Sequence, residues 1–280
     1  MIAQNDHKIV QSFVEFIDYK ILQKGVAFSN VSSEFYLNTG VRNTAVNAYH
    51  SPYKRFIYNS DIASAISGFS GDGVAYSTGT SGFSVDFLNG RILTPSNVSF
   101  SRISGSYSAP DIYTKYTTKS EANILLDTKY VSNKNLLTQS ATGIDENTEV
   151  YPIIYLQYSP NENEPRALGG MDKTQTKFTA YVVADSPFLL DGVLSILRDT
   201  NHLCFGVLAE SEFPLNISGD LKNSNYSYTG TANVKSWPNT AHIERVRASK
   251  VSLDINSQMG QKVFIGIADF DISQSRYPRQ

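Results

Sequence analysis

Few side chains in this 280-residue chain sit at spacings that do chemistry. Its single cysteine, Cys204, follows His202 by two residues inside the apolar run Leu203-Cys204-Phe205. A cysteine nucleophile needs a histidine brought in from a separate element. The run therefore reads as a small buried hydrophobe. Serine hydrolases need Gly-x-Ser-x-Gly on a strand-to-helix turn, because that strained turn presents the hydroxyl. The nearest text, Gly79-Thr80-Ser81-Gly82, lacks the spacing and leads into a strand, so Ser81 carries no nucleophile signal. The four histidines, His7, His50, His202 and His242, are dispersed, with no pair at helical ligand spacing and no cysteine motif beside them. No metal site is expected from them.

Acidic and basic residues give two short patterns. Asp269 and Asp271 alternate along an expected strand and share one of its faces. Calcium would need further oxygen ligands that the neighbouring residues do not identify, so the pair reads as a solvated strand edge. Arg245 and Arg247, with Lys250 close by, alternate in the same way and read as a solvated face rather than a phosphate site. Glu162, Glu164 and Asp172 flank the stretch Asn161 to Gly170, which is either an exposed recognition loop or an ordinary connection. A carboxylate pair for glycoside hydrolysis comes from distant residues, so having 26 acids to choose from decides nothing. Neither phosphate-cradling glycine motif is present. The expectation is a protein with no catalytic, cofactor-binding or metal residues, no cofactor, and no enzymatic activity.

Composition agrees with a binding or structural role. Net charge is −2 and the basic residues are scattered, so no global field recruits nucleic acid and no specific nucleic-acid binding is expected. Charged residues make up 18%, below the roughly 25% of ordinary soluble domains. Seventeen Tyr and fifteen Phe favour strands instead. Asp6, Lys8, Glu15, Asp18 and Lys20 break the N-terminal apolar runs, so neither a secretory signal nor a membrane span is expected. One cysteine favours a reducing compartment, and the reading is a soluble protein made in a cytoplasm.

The elements that must position these residues are mostly strands. A first helix, capped by Asn5 or Asp6, should run to about Lys24 and stop at Gly25 in the left-handed conformation. Its apolar residues, Ile9, Phe13, Phe16, Ile17 and Ile21, are widened by Val10, Val14 and Leu22, so its surface must be covered by this chain or by a neighbour. Period-two patterning follows from Val26 to Thr117. It includes a hairpin from Phe83 to Leu93 closed by a type I′ turn at Asn89-Gly90. Strands are also expected at 53–58, 74–76, 98–107 and 112–116, with 67–73 and 77–82 as loops. A second helix is expected at Lys119 to Tyr130 with Ser120 as cap. A third starts at Ser186-Pro187 and reaches about Asn201. Further strands are expected at 153–158, 177–183, 203–208, 246–255 and 262–272, the last buried on both faces. The fold class is α+β, mainly antiparallel sheet with about three helices, one of them N-terminal. Its organisation is an N-terminal region 1–130, a connection 131–149 and an α+β region 150–280, or else a single intertwined domain.

The helix-to-glycine entry Phe13 to Phe28, the hairpin Phe83 to Leu93, the stretch Asn163 to Asp172 and the ending Phe264 to Pro278 resemble passages of virion structural proteins of contractile-tailed bacteriophages. Within that group the chain looks most like the neck, head-to-tail connector or tail-terminator class. The resemblance implies a cofactor-free subunit of a hexameric or dodecameric homo-oligomeric ring in the virion, assembled in the host bacterial cytoplasm. It would contact adjacent neck, portal or tail proteins and no membrane. The alternative is a carbohydrate-binding or host-adhesion module. Tyrosines would then serve as stacking platforms beside the single Trp237.

Overall fold

The computed structural model describes residues 3–38, 45–59, 61–63, 65–77, 82–124, 130–132, 149–167, 170–216, 219–223, 226–229, 235–236, 238–251 and 263–277. The architecture is α+β and mostly antiparallel: two curled sheets with helix α1 (Asn5–Gly25) packed between them and helix α2 (Pro187–Arg198) on the second.

The first sheet has seven strands: β1 (Phe28–Leu37), β2 (Val46–His50), β3 (Gly68–Gly71), β4 (Val74–Ser77), β5 (Ser84–Asp86), β6 (Arg91–Pro95) and β7 (Ile103–Pro110), in the order β4-β3-β7-β1-β2-β6-β5. The second has six: β8 (Tyr113–Tyr116), β11 (Ile153–Ala167), β12 (Met171–Ala184), β13 (Cys204–Gly206), β14 (Thr240–Lys250) and β15 (Phe264–Arg276). Their order is β13-β14-β15-β12-β11-β8, antiparallel except where β8 runs parallel to β11. Short strands β9 (Tyr130–Ser132) and β10 (Glu149–Tyr151) form a parallel pair of their own.

Residue alternation explains the second sheet. Phe264, Ala268, Phe270 and Ile272 of β15 point to the face covered by both helices, while Val263 and Ile265 enter a separate apolar cluster on the opposite face. The expected two-sided burial of this strand is therefore found. Gly266 sits where an added methyl would lie 2.8 Å from Leu194 of α2, so the missing side chain is what lets that helix approach. Helix α2 begins as its sequence dictates: the Ser186 hydroxyl accepts from the Leu189 amide at 3.3 Å and Pro187 occupies the first turn.

Several sequence expectations are corrected. Two helices are described where about three were expected. Of the expected Lys119–Tyr130 helix only the first turn lies within the described residues, where Ser120 Oγ accepts from Asn123 N, and Tyr130 belongs to a strand. The left-handed residue ending α1 is Val26, at φ +45, not Gly25. Ile196 of α2 lies 3.4 Å from where a Gly25 Cβ would be, an ordinary contact. The segment 53–58 is no strand, since its amides are shared among different neighbours: Phe56 N donates to Phe87 O and Ile57 N to Ser108 O. Conversely Gly68–Gly71, expected in a loop, is strand β3. Gly68 and Gly71 let Tyr76 O and the Phe100 ring come close, and Phe69 is buried.

The hairpin of β5 and β6 is present, but its turn is not type I′. Asp86 faces Arg91 across a four-residue loop, and of Asn89 and Gly90 only Gly90 has a positive φ, +61. The reason is the buried Asp86 carboxylate, which accepts from the Leu88 and Asn89 amides at 3.1 Å and from Arg91 Nε at 2.7 Å. With those bonds made, the loop between the paired Asp86 and Arg91 holds four residues rather than two. A Cβ on Gly90 would lie 2.1 Å from Tyr53 O. Gly90→Ala combines a left-handed backbone with a backbone clash, and should destabilise by about 2 kcal/mol in a urea titration.

Candidate functional site

Helix α1 is apolar around most of its circumference, and a helix of that kind has no solvent face. Its acids must then be buried with partners. Ser12, Glu15 and Asp18 recur every three residues and are all buried, and Glu15 and Asp18 face segments 55–58 and 226–228. Ser12 Oγ accepts from Leu208 N at 2.8 Å and returns its own proton to Lys8 O at 2.6 Å.

Asp18 meets Arg55 in a two-pronged ion pair, with Nη1 on Oδ1 at 3.2 Å and Nη2 on Oδ2 at 3.0 Å. Arg55 also donates to the Thr114 carbonyl of β8 at 2.8 Å, and Tyr228 donates to Asp18 Oδ2 at 2.8 Å. One turn earlier, Glu15 Oε2 accepts from the Tyr58 and Tyr226 hydroxyls, the latter at 3.2 Å, while Oε1 accepts from Gln11 Nε2 at 2.7 Å. Burial pushes the Glu15 carboxyl up to about 7, and the nearby Asp18 charge adds to this. The Tyr58 and Tyr226 hydrogen bonds and Arg55 pull the other way. Burial also holds Tyr58 and Tyr228 well above the ordinary tyrosine value, reinforced by the negative charge of Glu15 on the first and of Asp18 on the second.

Such residues could serve general acid–base chemistry in a cleft. Here they are packed among rings. Tyr58 lies 5.5 Å from Tyr228 and 5.9 Å from Tyr226 between ring centroids, and Tyr19 stacks on Tyr228 at 5.9 Å. The arrangement is a weld joining α1, the strand β8 backbone and two loop segments. In the sequence Glu15 and Asp18 stand only as interruptions of apolar runs. The signal they carry is that a helix apolar almost all round cannot turn its acids to water.

Open space lies elsewhere, on the face of the second sheet away from the helices. A cleft of about 720 Å³ is lined by Glu164, Arg166, Lys173, Lys235, His242 and Glu244 among others. Its charges are largely mutual: Lys173 Nζ lies 2.6 Å from Glu244 Oε1, Lys235 Nζ lies 2.5 Å from Glu212, and Arg166 donates to Ser275 Oγ at 2.7 Å. Hydrogen bonding from Lys173 holds the Glu244 carboxyl below its ordinary value.

The two charge patterns seen in the sequence meet on this face. In the ladder Arg245 lies opposite Asp271 and Arg247 opposite Asp269, with Arg247 Nη2 reaching Asp271 at 3.5 Å and Thr179 Oγ1 donating to Asp269 at 2.8 Å. Each pattern is the other's counter-charge, which supports the solvated-face reading of both. The stretch Asn161 to Gly170 is largely strand: β11 runs to Ala167, and Asp172 in β12 is buried. Cys204 is half-buried rather than buried, because strand β13 turns Phe205 into the core and Cys204 to the other side, opposite His242. His202 and His242 lie 6.4 Å apart between ring centroids, His7 Nδ1 accepts from Gln4 N, and His50 is buried. Among the described residues no group of three potential ligands is gathered for a metal ion. Ser81 and Trp237 lie outside the described residues. No helix among the described residues is long and apolar enough to cross a membrane.

No protein-family model, curated protein or solved structure matches the chain.

Proposed function

We propose that the chain is a structural subunit of a bacteriophage virion, of the neck, connector or tail-terminator kind, that assembles as an oligomeric ring. The observation that carries this reading is the weld. The acids and the arginine best suited to chemistry are committed to bonds between α1 and segments 55–58 and 226–228, and the outer face of the second sheet is polar. The sequence resemblance supports the same reading.

Ring contacts have to be sought away from the apolar side of α1. Ile9, Phe13, Phe16, Ile17, Ile21 and Leu22 are all consumed by the chain's own core. Large apolar side chains left at the surface include Phe188, 90% exposed on the first turn of α2, and Val26, 66% exposed. Light scattering of the purified protein, with negative-stain imaging of the peak, should give the mass and outline of a ring. Phe188→Ser should reduce assembly and leave the unfolding free energy within about 0.5 kcal/mol of wild type, as for a surface change. A monomer at every concentration, together with specific binding on a glycan array, would overturn the ring in favour of the carbohydrate-binding module.

A further inference from the structure

Besides its tyrosines, the weld brings together two carboxyls, Glu15 and Asp18, and one guanidinium, Arg55. Asp18 takes both prongs of Arg55, so the ion pair is complete without Glu15. Glu15 is left with neutral donors only, Gln11 from its own helix, Tyr58 from one loop segment and Tyr226 from the other. An ionised carboxylate there would be a buried, unneutralised charge, which a protein interior disfavours strongly.

The two segments gripping Glu15 are not held equally. Residues 55–58 are tied down by the Arg55 pair, by the Arg55 bond to Thr114 O and by two backbone bonds, Phe56 N to Phe87 O and Ile57 N to Ser108 O. Among the described residues, 226–228 are attached to the rest of the weld through side chains and through Tyr226 O: the two tyrosine hydroxyls and the buried Tyr228 ring, Asn59 Nδ2 on Tyr226 O at 2.9 Å, and Ser227 on Asp61, while the Tyr226 amide bonds locally to Asn223 O at 3.1 Å. Tyr226 is also only half-buried, so it lies on the way from Glu15 to solvent.

We propose that Glu15 is a proton-operated latch: its neutral form keeps the 226–228 segment closed on helix α1, and loss of the proton favours opening of that segment to let water reach the carboxylate. The groups facing Glu15 are Gln11 and Asp18 on its own helix, Arg55 and Tyr58 on one segment, and Tyr226 and Tyr228 on the other. Burial keeps the closed-state carboxyl protonated up to about pH 7, against an ordinary value of 4.5 when water reaches it. Between those limits the closed state holds one more proton than the open state, so opening becomes easier as pH rises, and above the upper limit the dependence ends.

The test is hydrogen exchange of residues 226–229 in the full-length protein, corrected for the intrinsic chemical rate. The opening constant of wild type should rise about tenfold per pH unit between about pH 5 and 7 and then level off. Glu15→Gln should remove that slope, whereas contributions from the four histidines would persist in it. Tyr226→Phe removes a donor that favours the charged form, and should move the plateau to higher pH. A flat wild-type profile, the same slope in Glu15→Gln, or an unmoved plateau in Tyr226→Phe would overturn the latch.

Discussion

Arg55→Met should destabilise the protein by about 3–5 kcal/mol, the range for breaking a buried ion pair from one side. The change keeps most of the side-chain volume and removes the one cation that Asp18 touches among the described residues. Asp18 would then have the Tyr228 hydroxyl as its remaining partner, inside a buried region where the guanidinium is not readily replaced by solvent. The Thr114 carbonyl would also lose the Arg55 donor. At roughly 2–4 °C per kcal/mol for a chain of this size, the melting temperature should fall by on the order of 10 °C. Calorimetry or thermal circular dichroism reads this directly. Arg55→Met combined with Asp18→Leu should recover much of the loss, because the stranded charge is gone and replacing a complete buried pair by apolar groups is often neutral. A double variant no more stable than the single one would mean that the cost lies in packing around the substituted side chain rather than in the orphaned carboxylate.

Phe13→Ala should cost a similar amount, about 3–5 kcal/mol, for a different reason. Phe13 is fully buried and its ring centroid lies 4.4 Å from Phe178, 5.1 Å from Phe270 and 5.6 Å from Phe205. Those three rings come from β12, β15 and β13. Phe13 is thus the point where α1 engages three strands of the second sheet at once. Truncation removes the transfer energy of a phenyl group and leaves a cavity that rigid strands cannot close. A urea titration should show the midpoint fall with little change in slope, since the surface exposed on unfolding is nearly unchanged. Phe13→Leu should lose markedly less, because most of the volume is retained.

The contrast between these sites marks what the residue order reveals. Phe13 was legible as core because it belongs to a 3.6-residue pattern, and local periodicity reports which side of a helix meets apolar material. Ser186-Pro187 was legible as a helix start, and the alternation in β15 as a strand buried on both faces, for the same local reason. Where the expectations failed, a side chain outside the local pattern had intervened. The Asn89-Gly90 turn was reshaped by the Asp86 carboxylate three residues before Asn89. Segment 53–58 has a strand-like composition but found no continuous neighbour with which to form a ladder.

Composition and periodicity alone determined that this is a β-rich α+β protein with an N-terminal helix, and that its scattered acids, bases and histidines form no recognised catalytic motif. Those properties depend on neighbours within a few residues along the chain. The tertiary structure alone decided that the surplus apolar surface of α1 is used internally, that Arg245 and Arg247 answer Asp269 and Asp271, and that Glu15 and Asp18 are buried beside Arg55, Tyr58, Tyr226 and Tyr228. Asp18 and Arg55 are 37 positions apart, and Asp18 and Tyr228 are 210 apart. The charge state of a carboxyl depends on which groups surround it in space, so the path of the chain had to be known before Glu15 could be distinguished from any other acid on a helix.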